Sequence, residues 1–445
     1  YSGTINVGNG TVAGTGIYVG AAGGVGSQVV LDNAVINIYG ASGIGAYVDN
    51  LSTLTFGANS TMNFTGDGVG IFGIQGSIIN DNGGVINSNG NMVERSRIQG
   101  GVININSDIS VLAGGILGHA VNGEINVLPG ITVTATGDSV TGLFGDGLKG
   151  AGTWTQPYEA NNLGTIDFSN SNDSTAIYLN SARGQNKGTL KVKDDSIAFY
   201  GQNTGTEIYN AGLIEVGSNS VGLYGYNVDS INNLAGSTIQ DKGTANTGIY
   251  NIGTSGTAII NNAGTIDLGD AGTGIYIENG NITNTGTINV GNKVVSSSVG
   301  IYAKDSVLND AGVVKVGDNG IAFYGDNSIL NLNGSDVNIS NNGILGYGVN
   351  NTTINYNLGN KATSGNVFMY LVDSNVDFNG ADITVSDNGM GVYQEGASLA
   401  SGYNTLYINK NAAGMYGSGT NLSNTGNVVI QGINSAGLME IGRAH

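Results

Sequence analysis

The stretch Asn262-Ala-Gly-Thr-Ile-Asp-Leu-Gly269, followed by Gly274-Ile-Tyr276, returns shortly afterwards as Asn284-Thr-Gly-Thr-Ile-Asn-Val-Gly291 followed by Gly300-Ile-Tyr302. A phrase that recurs about every 22 to 27 residues is the sequence signature of a solenoid. Each repeat of a solenoid is too small to bury its own apolar side and must stack on its neighbours. The repeat therefore predicts a single elongated domain in which the same contacts recur along the chain.

The aromatic end of the phrase can be followed through most of the chain. From Tyr178 onward the marks are evenly spaced, whereas the steps before it are less regular. We therefore predict one domain over residues 1–439, with looser repeats in 1–165 and regular repeats in 166–439. The marks, with Leu117 standing in once for an aromatic residue, are Tyr18, Tyr47, Phe72, Leu117, Phe144, Tyr178, Tyr200, Tyr224, Tyr250, Tyr276, Tyr302, Tyr324, Tyr347, Tyr370, Tyr393 and Tyr416.

Composition and local pattern indicate which solenoid this is. The 78 Gly residues argue against helical repeats, because Gly costs about 1 kcal/mol relative to Ala inside a helix. Each repeat instead holds three short alternating runs, such as 281–284, 287–290 and 300–303, which are typical of half-buried strands. The sequence predicts an all-β, right-handed parallel β-helix of about 17 to 18 coils, with Ile288 and Val290 pointing inward, Asn289 outward, and Gly or Asn at the corners.

Both ends of the chain depart from this pattern. The chain begins within a repeat phrase, so we expect it to be a segment of a longer protein. Residues 440–445 break the repeat chemistry, and we expect them to be a non-native tail.

Charge and cysteine content exclude several classes of protein. With 14 Lys plus Arg against 32 Asp plus Glu, the net charge is −18, which disfavours binding to nucleic acid through phosphate contacts. The chain has no Cys, so disulfides do not stabilise it. It also has no apolar run of the length that a membrane-spanning helix requires.

Tandem coils reading Asn-x-Gly-x-Ile-x-Val-Gly followed by Gly-Ile-Tyr, in an acidic chain rich in Gly and Asn, resemble the passenger domains of type V autotransporters. The nearest resemblance is to the very large outer-membrane adhesins of fusobacteria, and it covers residues 1–439. It implies a surface-anchored or secreted bacterial protein whose export signal and C-terminal membrane barrel belong to the parent protein. It implies membrane contact only through that barrel, and we expect no cofactor.

Few residues suggest catalysis or metal binding. His119 has no second His or Cys close by in sequence, and we expect it to be a solvent-facing turn residue. Asp194 and Asp195 beside Lys191 and Lys193 come nearest to the paired acids and bases of a polysaccharide-active β-helix enzyme, but the alternation of the run predicts an ordinary solvated strand face. We therefore expect neither a catalytic site nor a metal site.

The aromatic row is the first surface candidate for binding. If the two Ile residues of Gly274–Ile277 point inward, Tyr276 points outward, and successive coils would stack such rings into an exposed ladder. The ladder would bind a sugar or a protein, or it would only stabilise the sheet. Its best-defined members are Tyr200, Tyr224, Tyr250, Tyr276, Tyr302 and Tyr324.

Two interruptions of the repeat are the other candidates. Between Phe144 and Tyr178 the step is longer than in the regular repeats, and the excess holds Lys149, Trp154, Tyr158 and Glu159. Insertions in solenoids form protruding loops, and exposed aromatic residues are typical of binding interfaces. The second interruption is the charged stretch 91–98, with Arg95 and Arg97. Drifted corner loops would explain both interruptions equally well.

These observations favour an extracellular bacterial adhesin segment that binds a host surface protein, a glycan or another bacterium. A pure stalk and a polysaccharide-active enzyme are the alternatives.

Overall fold

The computed structural model describes residues 1–8, 14–21, 24–89, 93–150, 156–254, 256, 258–292, 298–333, 336–359, 361–363, 366–420, 422 and 426–441. Throughout this part of the chain the regular elements are β-strands, and their pairings between coils are parallel. The predicted all-β parallel solenoid is confirmed, whereas the right-handed winding of its coils stays a prediction. None of the described residues forms a helix long and apolar enough to cross a membrane.

The chain divides into an N-terminal unit, Tyr1–Asp229, and a C-terminal unit, Ser230–His445. In each unit a coil contributes one strand to each of three faces. We call them the tyrosine face, which carries the aromatic marks, the second face, which follows it in the chain, and the third face.

In the N-terminal unit the third face consists of two separate sheets, of which the first ends at Val85–Ser88 and the second begins at Ile109–Val111. The tyrosine face of this unit holds Thr15–Val19, Gly43–Val48, Gly68–Ile74, Val93–Gln99, Ile116–Val121, Thr141–Asp146, Thr175–Asn180, Ile197–Gln202 and Val221–Tyr226. The second face holds Gln28–Leu31, Thr53–Gly57, Ile78–Asn82, Val102–Ile105, Glu124–Val127, Ala160–Asn162, Arg183–Asn186 and Glu207–Asn210. The third face holds Gly3–Val7, Ala34–Ile38, Thr61–Phe64, Val85–Ser88, Ile109–Val111, Thr132–Ala135, Thr165–Phe168, Thr189–Val192 and Leu213–Val216.

The C-terminal unit repeats the same three-strand coil. Its tyrosine face holds Thr247–Ile252, Thr273–Glu278, Val299–Lys304, Ile321–Asp326, Ile344–Val349, Val367–Val372, Met390–Glu395, Ala413–Ser418 and Ala436–Ile441. The second face holds Ser230–Asn233, Ala258–Asn262, Gly280–Asn284, Val307–Asp310, Ile329–Asn333, Thr353–Asn357, Asn375–Asp377 and Leu399–Ser401. The third face holds Thr238–Asp241, Thr265–Leu268, Thr287–Val290, Val313–Val316, Asp336–Ile339, Lys361–Thr363, Ile383–Val385, Thr405–Ile408 and Asn427–Ile430. The last tyrosine-face strand runs through Ile441, just past the predicted domain boundary.

Alternating side chains build the core of each unit. Ile288 lies between Ile266 and Val314 of the adjacent coils, and all three are fully buried. Val290 is also buried and Asn289 is half-exposed, as predicted. Stacked aliphatic rows of this kind supply the hydrophobic stabilisation that a single coil lacks.

Asparagine has two structural roles. At corners such as Asn279 and Asn327 the backbone adopts φ values of 58° and 49°, a left-handed conformation that Asn tolerates better than most residues. At strand ends, buried Asn side chains bond to one another between coils. The donor–acceptor distance is 2.8 Å from Asn162 to Asn186 and 2.9 Å from Asn186 to Asn210. The sequence predicted the corners and missed the buried ladder.

Candidate functional site

The aromatic row forms the predicted ladder. In the C-terminal unit, neighbouring rings from Tyr250 to Tyr416 have centroids 4.4 to 5.2 Å apart and planes within 15° of parallel. In the N-terminal unit, Tyr200 stacks on Tyr178 at 4.9 Å and on Tyr224 at 5.0 Å. Parallel strands lie about 4.8 Å apart, so the backbone spacing itself brings the rings into contact.

The ladder is less exposed than the sequence suggested. Tyr276 points outward between buried Ile275 and Ile277, but its own side chain is half-buried against the adjacent rings. Desolvation, together with the neighbouring Tyr302 and Tyr347, raises the pKa of Tyr324 to about 12. The Tyr324 phenol is therefore neutral at physiological pH.

Two polar side chains interrupt the ladder in the N-terminal unit. Arg97 pairs in register with Phe72 of the preceding coil and with His119 of the next, and His119 pairs with Phe144. The predicted stand-in Leu117 is wrong, because Leu117 is fully buried and points into the core. The steps from Phe72 to Arg97, His119 and Phe144 match the repeat length, but neither Arg97 nor His119 has the aromatic residue type that marks the row elsewhere.

His119 is not the solvent-facing turn residue that the sequence suggested. It lies within the strand Ile116–Val121 with 6% of its surface exposed, and its ring stacks on Phe144 at a centroid distance of 4.0 Å. Its Nδ1 is 3.3 Å from Glu94 Oε1, and its Nε2 is 3.6 Å from Asp146 Oδ2. The row thus places an imidazole between two carboxylates from different coils.

Beside this cluster, the tyrosine face of the N-terminal unit contains a groove of about 510 Å³. Its lining combines the apolar side chains of Val69 and Phe72 with the polar ones of Glu94, Arg97 and Gln99. Such a mixture is typical of small-ligand sites. The sequence predicts Arg97 as a candidate, and it places Glu94 in the same charged stretch and Phe72 in the aromatic row, but nothing in it brings the three residues together.

Arg95 has a different environment, although it belongs to the same predicted interruption. Residues 91 and 92 of this interruption lie outside the described residues. Val93–Gln99 is a strand and not a protruding loop, and Arg95 points inward with 5% of its surface exposed. Its Nε and Nη2 donate to Asp81 at 2.5 and 2.9 Å, Nη2 also donates to the carbonyl of Gly84, and the guanidinium lies 5.7 Å from the ring centroid of Phe56. These contacts make Arg95 a core residue.

The other predicted interruption lies partly outside the described residues. Trp154 is among residues 151–155, of which no structure is described. The Lys149 side chain is 4% exposed, and its Nζ donates to Glu124 at 3.1 Å and to the carbonyl of Tyr158 at 3.0 Å. Glu159 is also buried and accepts hydrogen bonds from Arg183. Lys149 and Glu159 therefore anchor the described residues on either side of 151–155.

Tyr158 is the half-exposed member of this group. Its ring stacks on Tyr209 of the second face at 4.9 Å. Burial and a hydrogen bond to Glu207 raise the pKa of Tyr209 to about 12. The pair is a small aromatic surface distinct from the ladder.

Among the remaining sequence candidates, Lys191 lies where the alternation pattern placed it, whereas Lys193, Asp194 and Asp195 follow the end of the strand Thr189–Val192. Lys191 projects from the third face, half-buried, between Asp167 at 3.5 Å and Glu215 at 3.7 Å. Among the described residues, no group of three or more His, Cys, Asp or Glu side chains is arranged to hold a metal ion.

Comparisons with known proteins add little. No protein-family model matches the chain, and no curated protein matches it. Among solved structures, a PL6-family alginate lyase, AlyGC, matches over 94% of this chain and 99% of its own, with 9% sequence identity and a TM-score of 0.19. A similarity at that TM-score carries no argument about this chain.

Proposed function

We propose that this chain is a segment of an extracellular bacterial adhesin of the autotransporter-passenger kind, located at the cell surface or secreted. Its stacked coils present rows of outward side chains to a host surface protein, a glycan or another bacterium. The observation that supports this proposal is the tyrosine ladder, because a repeated half-exposed aromatic row is the kind of surface that contributes strongly to binding interfaces.

Bead adhesion tests the proposal. Beads coated with the full chain are expected to bind epithelial cells or other bacteria saturably, whereas beads coated with heat-unfolded chain are not. A triple variant of Tyr276, Tyr302 and Tyr324 to Ser is expected to weaken binding at least tenfold. A triple variant of the same residues to Phe keeps the rings and is expected to bind almost normally.

A matched control lies on the second face of the same unit. Asn309, Asn331 and Asn355 form an outward hydrogen-bonded row there, and changing all three to Ser leaves the ladder intact. Equal binding by both Ser variants, each folded by circular dichroism, would remove the ladder from the functional account. Absence of binding by the folded native chain would favour a pure stalk.

A polysaccharide-active enzyme is the second candidate, and one observation favours it. Glu94 and Arg97 are outward on one strand beside the buried His119 of the next coil, and these are residue types that sugar-cleaving enzymes use for proton transfer and charge stabilisation. Release of new reducing ends, or of unsaturated sugars absorbing in the ultraviolet, from a panel of polysaccharides would support it. Loss of that activity in Glu94→Gln would assign it to this site.

A further inference from the structure

The strand Val93–Gln99 is where the tyrosine face changes its chemistry. Its outward positions are Glu94, Arg97 and Gln99, and each pairs in register with an apolar residue of the preceding coil: Val69, Phe72 and Ile74. The coil that follows restores apolar residues at two of these positions, Ile116 and Val121. A polar coil thus lies directly against an apolar one.

The groove lies along this boundary. Phe72 is followed in the row by Arg97 and not by another ring, and its contact with Tyr47 is edge-on, with the planes 64° apart. The groove of about 510 Å³ falls within the range of about 300 to 1,000 Å³ that is usual for small-ligand sites. It therefore has an aromatic wall on one side and a polar wall on the other.

Some hydrogen-bonding groups of Arg97 and Glu94 on the polar wall are not used within the protein. Arg97 Nη1 is 3.6 Å from Glu94 Oε2, a distance that permits ionic attraction but not a hydrogen bond, and the Arg97 side chain is 41% exposed. Glu94 Oε2 is buried without a hydrogen-bond partner. His119 Nδ1 lies 3.3 Å from the other carboxylate oxygen, Oε1, so His119 is a positioning residue that holds Glu94 in place.

These features define the chemistry of the ligand. A pyranose ring has an apolar face that packs on an aromatic ring, and it has adjacent hydroxyl groups that pair with planar carboxylate, guanidinium and amide groups. The groove is lined by two carboxylates, Asp67 and Glu94, and one guanidinium, Arg97. This balance repels anionic sugars, phosphates and sulfates. We propose that the groove bounded by Phe72, Glu94, Arg97 and Gln99 is a binding site for a neutral pyranose glycan.

The proposal deepens the adhesin function, on which it rests, by naming a site and a ligand class. The test uses the full chain and three sets of immobilised probes: neutral hexose and N-acetylhexosamine oligosaccharides, uronic acid oligosaccharides, and a Lys-rich peptide. We expect saturable binding to at least one neutral oligosaccharide. Arg97→Ala and Glu94→Gln are each expected to weaken it at least tenfold, and His119→Gln to weaken it less.

The matched controls are in the C-terminal unit. Lys304 and Glu278 form an outward ion pair of 2.9 Å on the tyrosine face there, and Lys304→Ala and Glu278→Gln should leave glycan binding unchanged. Phe72→Tyr keeps an aromatic wall and is expected to bind, whereas Phe72→Leu is not. Circular dichroism and thermal melting of each variant separate loss of the site from loss of the fold.

Three results would overturn the proposal: glycan binding unchanged in both Arg97→Ala and Glu94→Gln, binding restricted to uronic acids or to the peptide, or binding to none of the probes. The outcome is separable from that of the adhesin proposal. Beads that still adhere to cells after both groove substitutions would leave adhesion standing without this site. Glycan binding by a chain whose beads do not adhere would leave the site standing without adhesion.

Discussion

At the residue scale, position within one strand decides the role of two arginines. Arg95 and Arg97 are separated by a single residue, so the alternation of the strand should place them on the same side. In the strand Val93–Gln99, however, the buried positions are Val93, Arg95, Ser96 and Ile98, and the two consecutive buried residues shift the alternation. Arg95 consequently faces the core and Arg97 faces solvent.

We expect Arg95→Ala to destabilise the N-terminal unit by about 3 to 5 kcal/mol, because it leaves the Asp81 carboxylate buried without its bidentate partner. Arg97→Ala removes only a partly exposed charge, and its effect is expected to stay below about 1 kcal/mol. Urea unfolding followed by circular dichroism measures both. The double variant Arg95→Leu and Asp81→Leu should recover much of the lost free energy of unfolding. If the double variant is destabilised as much as Arg95→Ala alone, this account is contradicted.

The phenols of the ladder set an alkaline limit to stability. Burial raises the pKa of both Tyr324 and Tyr370 to about 12, above the usual value of about 10 for tyrosine in an unfolded chain. A group whose pKa is raised on folding contributes stability that is fully present below pH 10 and is lost as the pH rises towards 12.

Unfolding midpoints in urea should therefore change little between pH 7 and 9 and should fall between pH 10 and 12. Phenolate absorbance near 295 nm is expected to rise together with the loss of β-structure. The triple variant of Tyr276, Tyr302 and Tyr324 to Phe provides the control, since its alkaline limit should move to higher pH. An unchanged limit would show that other groups set it.

At the element scale, ladders of hydrogen-bonded side chains join the coils in addition to the hydrophobic rows. The buried Asn162, Asn186 and Asn210 stand at the ends of successive second-face strands. In such dry positions an amide is tolerated because each side chain bonds to the next.

We expect Asn186→Ala to destabilise the N-terminal unit by about 1 to 3 kcal/mol, because the ladder bonds from Asn162 and to Asn210 are lost together. Asn63→Ala is the comparison, since Asn63 belongs to the partly exposed row with Asn37 and Asn87, where water replaces the lost bonds. Its expected cost is below about 0.5 kcal/mol. Equal losses in thermal melts of the two variants would argue against a structural role for the buried ladder.

At the scale of the whole molecule, each coil of a solenoid contacts only the coils next to it, so a destabilising substitution in one coil acts directly only on those neighbours. Ile288 contacts the equivalent positions of the preceding and following coils, Ile266 and Val314. A charge at this fully buried position disrupts these contacts directly and leaves distant coils with their own rows intact.

We expect Ile288→Asp to raise amide hydrogen exchange at least tenfold in Thr265–Leu268, Thr287–Val290 and Val313–Val316, and to leave Thr405–Ile408 of the same unit protected. Exchange mapped by mass spectrometry checks this. The neighbouring outward substitution Asn289→Asp should change little. Loss of protection throughout the C-terminal unit would instead show that the unit unfolds as one cooperative body.

The fold was largely predictable, whereas the candidate site was not. Ile288, Asn289 and Val290 reveal their orientation through alternation along one short strand, and Tyr276 and Tyr302 identify their row by type and spacing. Arg97 and His119 occupy the same row without resembling its other members. Glu94 flanks His119 from the preceding coil and Asp146 flanks it from the following one, and no local pattern links them.

The amino-acid sequence by itself therefore determined the parallel solenoid, its three strands per coil and the inward or outward direction of most side chains, because repeat length and alternation are local properties. Only the tertiary structure decided which side chains of different coils become neighbours. The buried pair of Arg95 with Asp81, the anchoring of Lys149 by Glu124, and the groove between Phe72 and Arg97 all depend on the register between coils. Backbone hydrogen bonds between coils of unequal length set that register, and it is not encoded at any single position.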